Sequence, residues 1–295
     1  MTEVSGSKVL LGYDGSLPAG AAIEVAARLL PGARASVAYV WAPPFASEPL
    51  RRRLWHGTSG INEFVAAIEH QGEAEAKRLA DMGVSLAGAH GWQAQALIRR
   101  TYGGEGLQLG EIAEEIGADL IVLGSRGLGG ARAVLGSVSD VAVHYASRPV
   151  LVIPHPLLET ERAMLDTGPV VLGWDGSAGA EAARRSVSEL FPQRTVVPVF
   201  VEDGGGPEGP DITGLIKMPR ADGHLEHGRG TAAALADQAR ASRAALIAVG
   251  SRGRSAVREI LLGSVAMATL HHVFRPVLVV PHRGPMALPT QVLRP

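Results

Sequence analysis

The sequence predicts an α/β protein of two tandem doubly wound domains, each a five-stranded parallel sheet covered by helices on both faces. Three observations carry the prediction. Short aliphatic runs alternate with amphipathic stretches, the whole pattern occurs twice, and the polar and glycine-rich residues gather where the aliphatic runs end.

In the first copy, residues 8–13 (KVLLGY) read as a buried strand, and Ser16 caps a helix that reaches about Leu30 and stops at Pro31. Residues 35–41 are strand-like, 62–82 helical and 92–100 strand-like. Residues 107–117 read as a helix, 119–123 (DLIVL) as a strand, 137–146 as a helix and 149–153 (PVLVI) as the last strand. Strands separated by helices of this length need crossover connections, and crossovers make a parallel sheet.

The duplication is plain. KVLLGYDGS (8–16) returns as PVVLGWDGS (169–177), and GSVSDVAVHYASRPVLVIPH (136–155) returns as GSVAMATLHHVFRPVLVVPH (263–282). Up to Val40 the offset is constant at 161, pairing Asp14 with Asp175 and Val40 with Val201; after GSRG (124–127 and 250–253) it drops to 126 or 127. The second copy has therefore lost about 35 residues, corresponding to the helix at 62–82. In its place stands DGGGPEGPDITGLIKMPRADG (203–223), which has no helical period and reads as a loop. The domains are placed at 1–156 and 167–283, around the polar connector HPLLETERAMLDTG (155–168).

Composition narrows the function classes. With a net charge of −1, the chain carries no field that would gather nucleic acid or an anionic membrane. The absence of cysteine excludes disulfides, iron–sulfur clusters, thiolate zinc and cysteine nucleophiles. The start, MTEVSGSKVLLGYDGS, lacks a basic region followed by a long apolar core, and no apolar run is long enough to span a bilayer. A soluble, cytoplasmic protein is expected.

In doubly wound sheets ligands bind beyond the carboxyl ends of the strands. Asp14 and Asp175 follow the first strand of each copy, Gly124 and Gly250 close the fourth, and Gly136-Ser137 and Gly263-Ser264 open the next helix. A helix start offers unpaired N–H groups and a positive dipole end, which suit phosphate. A carboxylate nearby suits the amino or hydroxyl edge of a nucleoside. The arrangement reads as a nucleotide site, set against a plainer reading of turns and caps, with the aspartates open to either. Arg126 and Arg252 are phosphate contacts or solvated tips. His144, His271 and His272 on the last helices read as surface or packing residues, and no metal site is expected. GGGPEG (204–209) matches a dinucleotide fingerprint only formally, because Pro207 and Pro210 forbid the helix it requires.

Two five-stranded units, each with Asp after the first strand and a Gly-x2-Gly…Gly-Ser motif that in the second copy reads Gly-x2-Gly-x9-Gly-Ser, resemble a tandem universal stress protein over residues 8 to about 282. The resemblance implies strand order 3-2-1-4-5 and an ATP site, with Mg2+ accompanying the phosphates. Asp175 and the backbone near Val201 would hold the adenosine end, and Gly250, Gly253, Gly263 and Ser264 the ribose and phosphates. The first copy's counterparts are Asp14, Val40, Gly124, Gly127, Gly136 and Ser137. There the spacer LGGARAVL (128–135) has eight residues against nine in RSAVREILL (254–262), a difference of roughly 100° on a helix unless the loop absorbs it. The resemblance further implies that the two last strands pair across a pseudo-twofold axis, as an intramolecular pseudo-dimer open to homodimerisation. The expected function is ATP-dependent stress regulation through an unnamed protein partner, without enzymatic turnover beyond slow ATP hydrolysis. The rivals are an ATP-using enzyme, whose Ser-Gly-Gly-x-Asp-Ser loop is replaced here by GYDGS and GWDGS, and a nucleotide-free scaffold.

Overall fold

The computed structural model describes residues 6–42, 61–125, 135–202, 212–221, 227–253 and 262–282. The first half comprises β1 (Lys8–Gly12), α1 (Leu17–Leu29), β2 (Arg34–Trp41), α2 (Ile61–Ala89), β3 (Gln93–Arg100), α3 (Glu105–Glu115), β4 (Leu120–Gly124), α4 (Ser137–Tyr145) and β5 (Val150–Ile153). A short linker helix, α5 (Glu159–Arg162), leads to the second half. That half comprises β6 (Val170–Gly173), α6 (Ala178–Leu190), β7 (Val196–Glu202), β8 (Ile216–Pro219), α7 (His227–Ala241), β9 (Leu246–Gly250), α8 (Ser264–His272) and β10 (Val277–Val280).

All ten strands form one sheet, ordered β3-β2-β1-β4-β5-β10-β9-β6-β7-β8. Each half therefore has the order 3-2-1-4-5, parallel within itself. The halves meet where β5 and β10 run antiparallel, with Leu151 opposite Leu278. That is the expected pairing. It leaves neither aliphatic edge open to unwanted association.

Side chains alternate across the sheet, so each strand feeds two cores. Val9, Leu11, Val122, Leu151, Leu172 and Leu278 pack on the face carrying α1 and α6. Leu10, Ile121, Val150, Val171, Ile247 and Val277 pack on the other, against residues of α3, α4, α7 and α8. Both cores cross the seam between the halves, which makes the ten strands one packing unit.

Two expectations are corrected. The helix expected over 62–82 runs on to Ala89. Gly83 does not break it; it is where the helix lies against the sheet, and a Cβ there would be 2.7 Å from Val37 Cγ1 and 2.9 Å from the Tyr13 ring. The segment 203–223 is not all loop, because Ile216–Pro219 forms the outer strand β8 against β7. Four residues are too few to display a period, and Pro219 is tolerated because this is an edge strand. Among the described residues no helix lies between β7 and β8. The GGGPEG stretch lies outside the described residues.

The linker is fastened to both halves. Arg28 of α1 donates two hydrogen bonds to Asp166, at 2.9 and 2.6 Å, and Arg162 pairs with Glu24. From the second half, Arg194 donates to the carbonyls of Gly168 (2.8 Å) and Leu165 (2.5 Å). Arg275, only 6% exposed, donates to the Ala244 carbonyl at 2.5 Å and faces Glu161 at 3.5 Å. Burial lowers the pKa of both Arg194 and Arg275. Among the described residues no helix is long and apolar enough to cross a membrane.

Candidate functional site

The sheet register gathers the marked residues at one level. Continuing the β1–β2 pairing of Gly12 with Ala38 brings Asp14 beside Val40; continuing the β6–β7 pairing of Gly173 with Val199 brings Asp175 beside Val201. The chain keeps step past the strand, since the Tyr13 N–H donates to Ala38 O at 3.0 Å and the Trp174 N–H to Val199 O at 2.8 Å. On the other flank, Gly124 and Gly250 end β4 and β9. Asp14, Val40 and Gly124 thus line one mouth, and Asp175, Val201 and Gly250 the other.

Each aspartate is partly a turn residue. Asp14 Oδ1 accepts from the Ser16 N–H at 2.9 Å, and Asp175 Oδ1 from the Ser177 N–H at 2.9 Å. Each serine then caps its helix, Ser16 Oγ accepting from Ala19 N–H (3.2 Å) and Ser177 Oγ from Ala180 N–H (3.1 Å). The starts of α1 and α6 are therefore closed by the chain's own oxygens. Burial first, then the Asp14 carboxylate, raises the pKa of Tyr13 and of Tyr39, so Asp14 bears on both rings.

The starts of α4 and α8 differ. Their N-caps are Gly136 and Gly263, in extended conformation (φ −71° and −74°), with no side chain to accept from the first turn. Ser137 and Ser264 open these helices on the exposed surface. Among the described residues no side chain caps these starts, where a helix offers free N–H groups and the dipole's positive end. In both halves the glycine N–H donates to the carbonyl of the serine in GSRG: Gly136 to Ser125 at 2.6 Å, Gly263 to Ser251 at 2.7 Å. The one-residue difference between the spacers is absorbed before that bond, so both helices start from equivalent closures. Gly127, Arg126 and most of the spacers lie outside the described residues.

The glycines of the second half have distinct surroundings. A Cβ at Gly263 would find its nearest atom, Ser251 O, at an ordinary 3.4 Å. One at Gly253 would come within 2.7 Å of Asp175 Oδ2, so the glycine turn lies against the aspartate. At Gly250 it would strike the backbone of Gly179 at 2.5 Å, so this glycine makes room for the first turn of α6.

Sequence reading missed several supports. Arg252 is not a solvated tip: its guanidinium donates to the His282 carbonyl, and its Nε is buried without a partner among the described residues. The Ser251 Oγ accepts from the His282 N–H at 3.1 Å, so the end of β10 braces the GSRG turn. Ser139 Oγ donates to Gly124 O at 2.8 Å and braces the first half in its own way. The repeated PH after each last strand was the available signal. The indole N–H of Trp174, buried without a partner, occupies the position of Tyr13, whose ring lies under α2. The second half has no such helix among the described residues, and the larger ring fills the space.

Fold and mouths together define a tandem doubly wound protein of the kind that binds ligands beyond the carboxyl ends of its strands. The sequence pattern of the Universal stress protein family matches residues 7–154 and 219–281. A universal stress protein of Mycolicibacterium smegmatis is 30% identical over 297 residues, covering 92% of this chain and 96% of the relative. One of Mycobacterium tuberculosis is 31% identical over 193 residues, covering 57% of this chain and 63% of the relative. The crystal structure of a universal stress protein from Archaeoglobus fulgidus superposes with a TM-score of 0.59 at 18% identity, covering 94% of this chain and 97% of that one. The chain belongs to the universal stress protein family.

Proposed function

We propose that the protein binds ATP, with Mg2+ on its phosphates, at the mouth of each half, and that occupancy selects a conformation or protein partner in a stress response without turnover. The observation that carries this reading is the contrast, within each half, between helix starts at the carboxyl ends of its strands. Ser16 and Ser177 close α1 and α6, whereas Gly136 and Gly263 leave α4 and α8 open. A phosphate would supply the acceptors that the glycine caps of α4 and α8 lack. Asp14 and Asp175, level with Val40 and Val201, stand where they would meet the nucleoside. Gly124, Gly127, Gly136 and Ser137, with Gly250, Gly253, Gly263 and Ser264, would surround the phosphates.

The test is the nucleotide released from freshly purified, denatured protein, with its stoichiometry per chain. Gly263→Glu directs a carboxylate at the open start of α8 and should abolish retention by the second half while the first retains its nucleotide. Unchanged stoichiometry and affinity in that variant would defeat the assignment. Turnover of a second substrate would support an enzyme instead, and protein empty of nucleotide a scaffold.

A further inference from the structure

Beside the first mouth, an open-sided pocket of ≈280 Å³ lies between α2 and the carboxyl ends of β2 and β3, lined by Trp41, Glu69, Glu73, Ile98 and Arg100. Its aromatic wall stands on the other face of β2 from Val40. Trp41 pairs with Arg100 on the flank of β2 that faces the edge strand, whereas Asp14 and Gly124 lie on the opposite flank, along β1 and β4. Successive side chains of a strand point to opposite faces. Val40 packs on the α3 and α4 side, and Trp41 lies against α2.

The walls have a definite chemistry. Gly72 lets α2 approach the Trp41 ring so closely that a Cβ there would lie 2.4 Å from Cζ3. The indole, 9% exposed, is thereby fixed as an aromatic floor beside Ile98. Glu69 and Glu73, one turn apart on α2, form the acidic wall. Arg100 pairs with Glu69 at 2.7 Å, and its guanidinium carbon stands 5.3 Å from the centre of the Tyr102 ring. One carboxylate is neutralised and the other, among the described residues, has no cationic partner.

We propose that this cavity binds a small organic monocation, an alkylammonium group whose charge meets Glu73 and the face of Trp41 while its apolar tail lies along Ile98. An aromatic face attracts a cation, and the uncompensated carboxylate repels an anion. The volume is at the lower end for ligand pockets and suits a molecule of a few heavy atoms.

Calorimetric titration of the full chain at low ionic strength, without nucleotide, tests this with n-butylammonium chloride against 1-butanol as the neutral isostere. Butylammonium should saturate a site that butanol does not fill, and Glu73→Gln should weaken it roughly fivefold, the effect of an ion pair of about 1 kcal/mol. Trp41→Leu should weaken it as well. Should that core change unfold the chain, Glu73→Gln, at an exposed position, still decides. Saturating ATP should leave the amine affinity unchanged. Absence of saturable binding, equal binding of butanol, an unaltered Glu73→Gln variant, or displacement by ATP or calcium chloride would each overturn the proposal. Apart from displacement by ATP, which would show nucleotide reaching this pocket, none of these results bears on nucleotide binding at the mouths.

Discussion

Replacing Gly250 by alanine should destabilise the protein by about 2–3 kcal/mol, for a reason internal to the chain. The added methyl would lie 2.5 Å from both the carbonyl carbon and oxygen of Gly179 and 2.9 Å from its Cα. All three atoms are backbone in the first turn of α6, which is fixed by the Ser177 cap, so no side chain can swing aside. The interlock is mutual, since a Cβ on Gly179 would come within 2.0 Å of the Arg252 carbonyl. Relief requires shifting the helix or the end of β9, and such overpacking costs on the order of 1–3 kcal/mol. The upper part of that range applies where the neighbour is main chain. For a chain of 295 residues the loss corresponds to a fall in Tm of roughly 3–5 °C. Thermal unfolding followed by circular dichroism, without nucleotide, measures it. A Tm within about 1 °C of the parent would refute the packing argument. It would return Gly250 to being a glycine kept only for a ligand.

Two further outcomes test the linker. Arg275→Met should lower stability by about 2–4 kcal/mol, because it leaves Glu161 and the Ala244 carbonyl without their buried donor; a urea midpoint equal to the parent's would refute this. The Arg28–Asp166 bridge has side chains 29% and 57% exposed and is worth at most about 1 kcal/mol after solvent screening. The Arg28 hydrogen bond holds the Asp166 carboxyl below its usual range, so the contribution is present above the unfolded value near pH 4 and is lost as pH falls through the lower folded value. Asp166→Asn should therefore flatten the acid limb of stability against pH, and an identical limb in parent and variant would show that the bridge contributes nothing.

The parts legible in the sequence are those written in local periodicity. In the first half β1, β4 and β5 stood out as aliphatic runs between turn residues, because a central parallel strand is buried on both faces. Strand β8 did not, because IKMP is short and lies at an edge where one flank needs no partner. The end of α2 was hidden for another reason. A glycine such as Gly83 reads as a breaker, and only the nearness of Val37 and Tyr13 reveals it as a packing surface. The mouths were legible as sets of residues but not as roles. GSRG looks alike in both copies, yet its arginine in the second half is taken up by the His282 carbonyl, a partner 30 positions away that no spacing rule announces.

The seam between the halves constrains how the two mouths can act. Every strand of the first half runs parallel to β5, every strand of the second runs parallel to β10, and β5 and β10 are antiparallel. The carboxyl ends of the two sets therefore lie along opposite edges of the sheet, with Asp14 at one and Asp175 at the other. No single small molecule can bridge them, so a ligand at either mouth would be held by the residues of that half alone. Any influence of one mouth on the other must cross the sheet or the linker. Both routes are built of discrete contacts: the cores shared through Leu151 and Leu278, and the run from the α1 cap at Ser16 through Arg28 and Asp166 to Arg194. Helix α1 thus joins the turn that holds Asp14 to the linker that holds the second half. That makes the bridge at Arg28 the place where coupling between the two mouths is most directly measured.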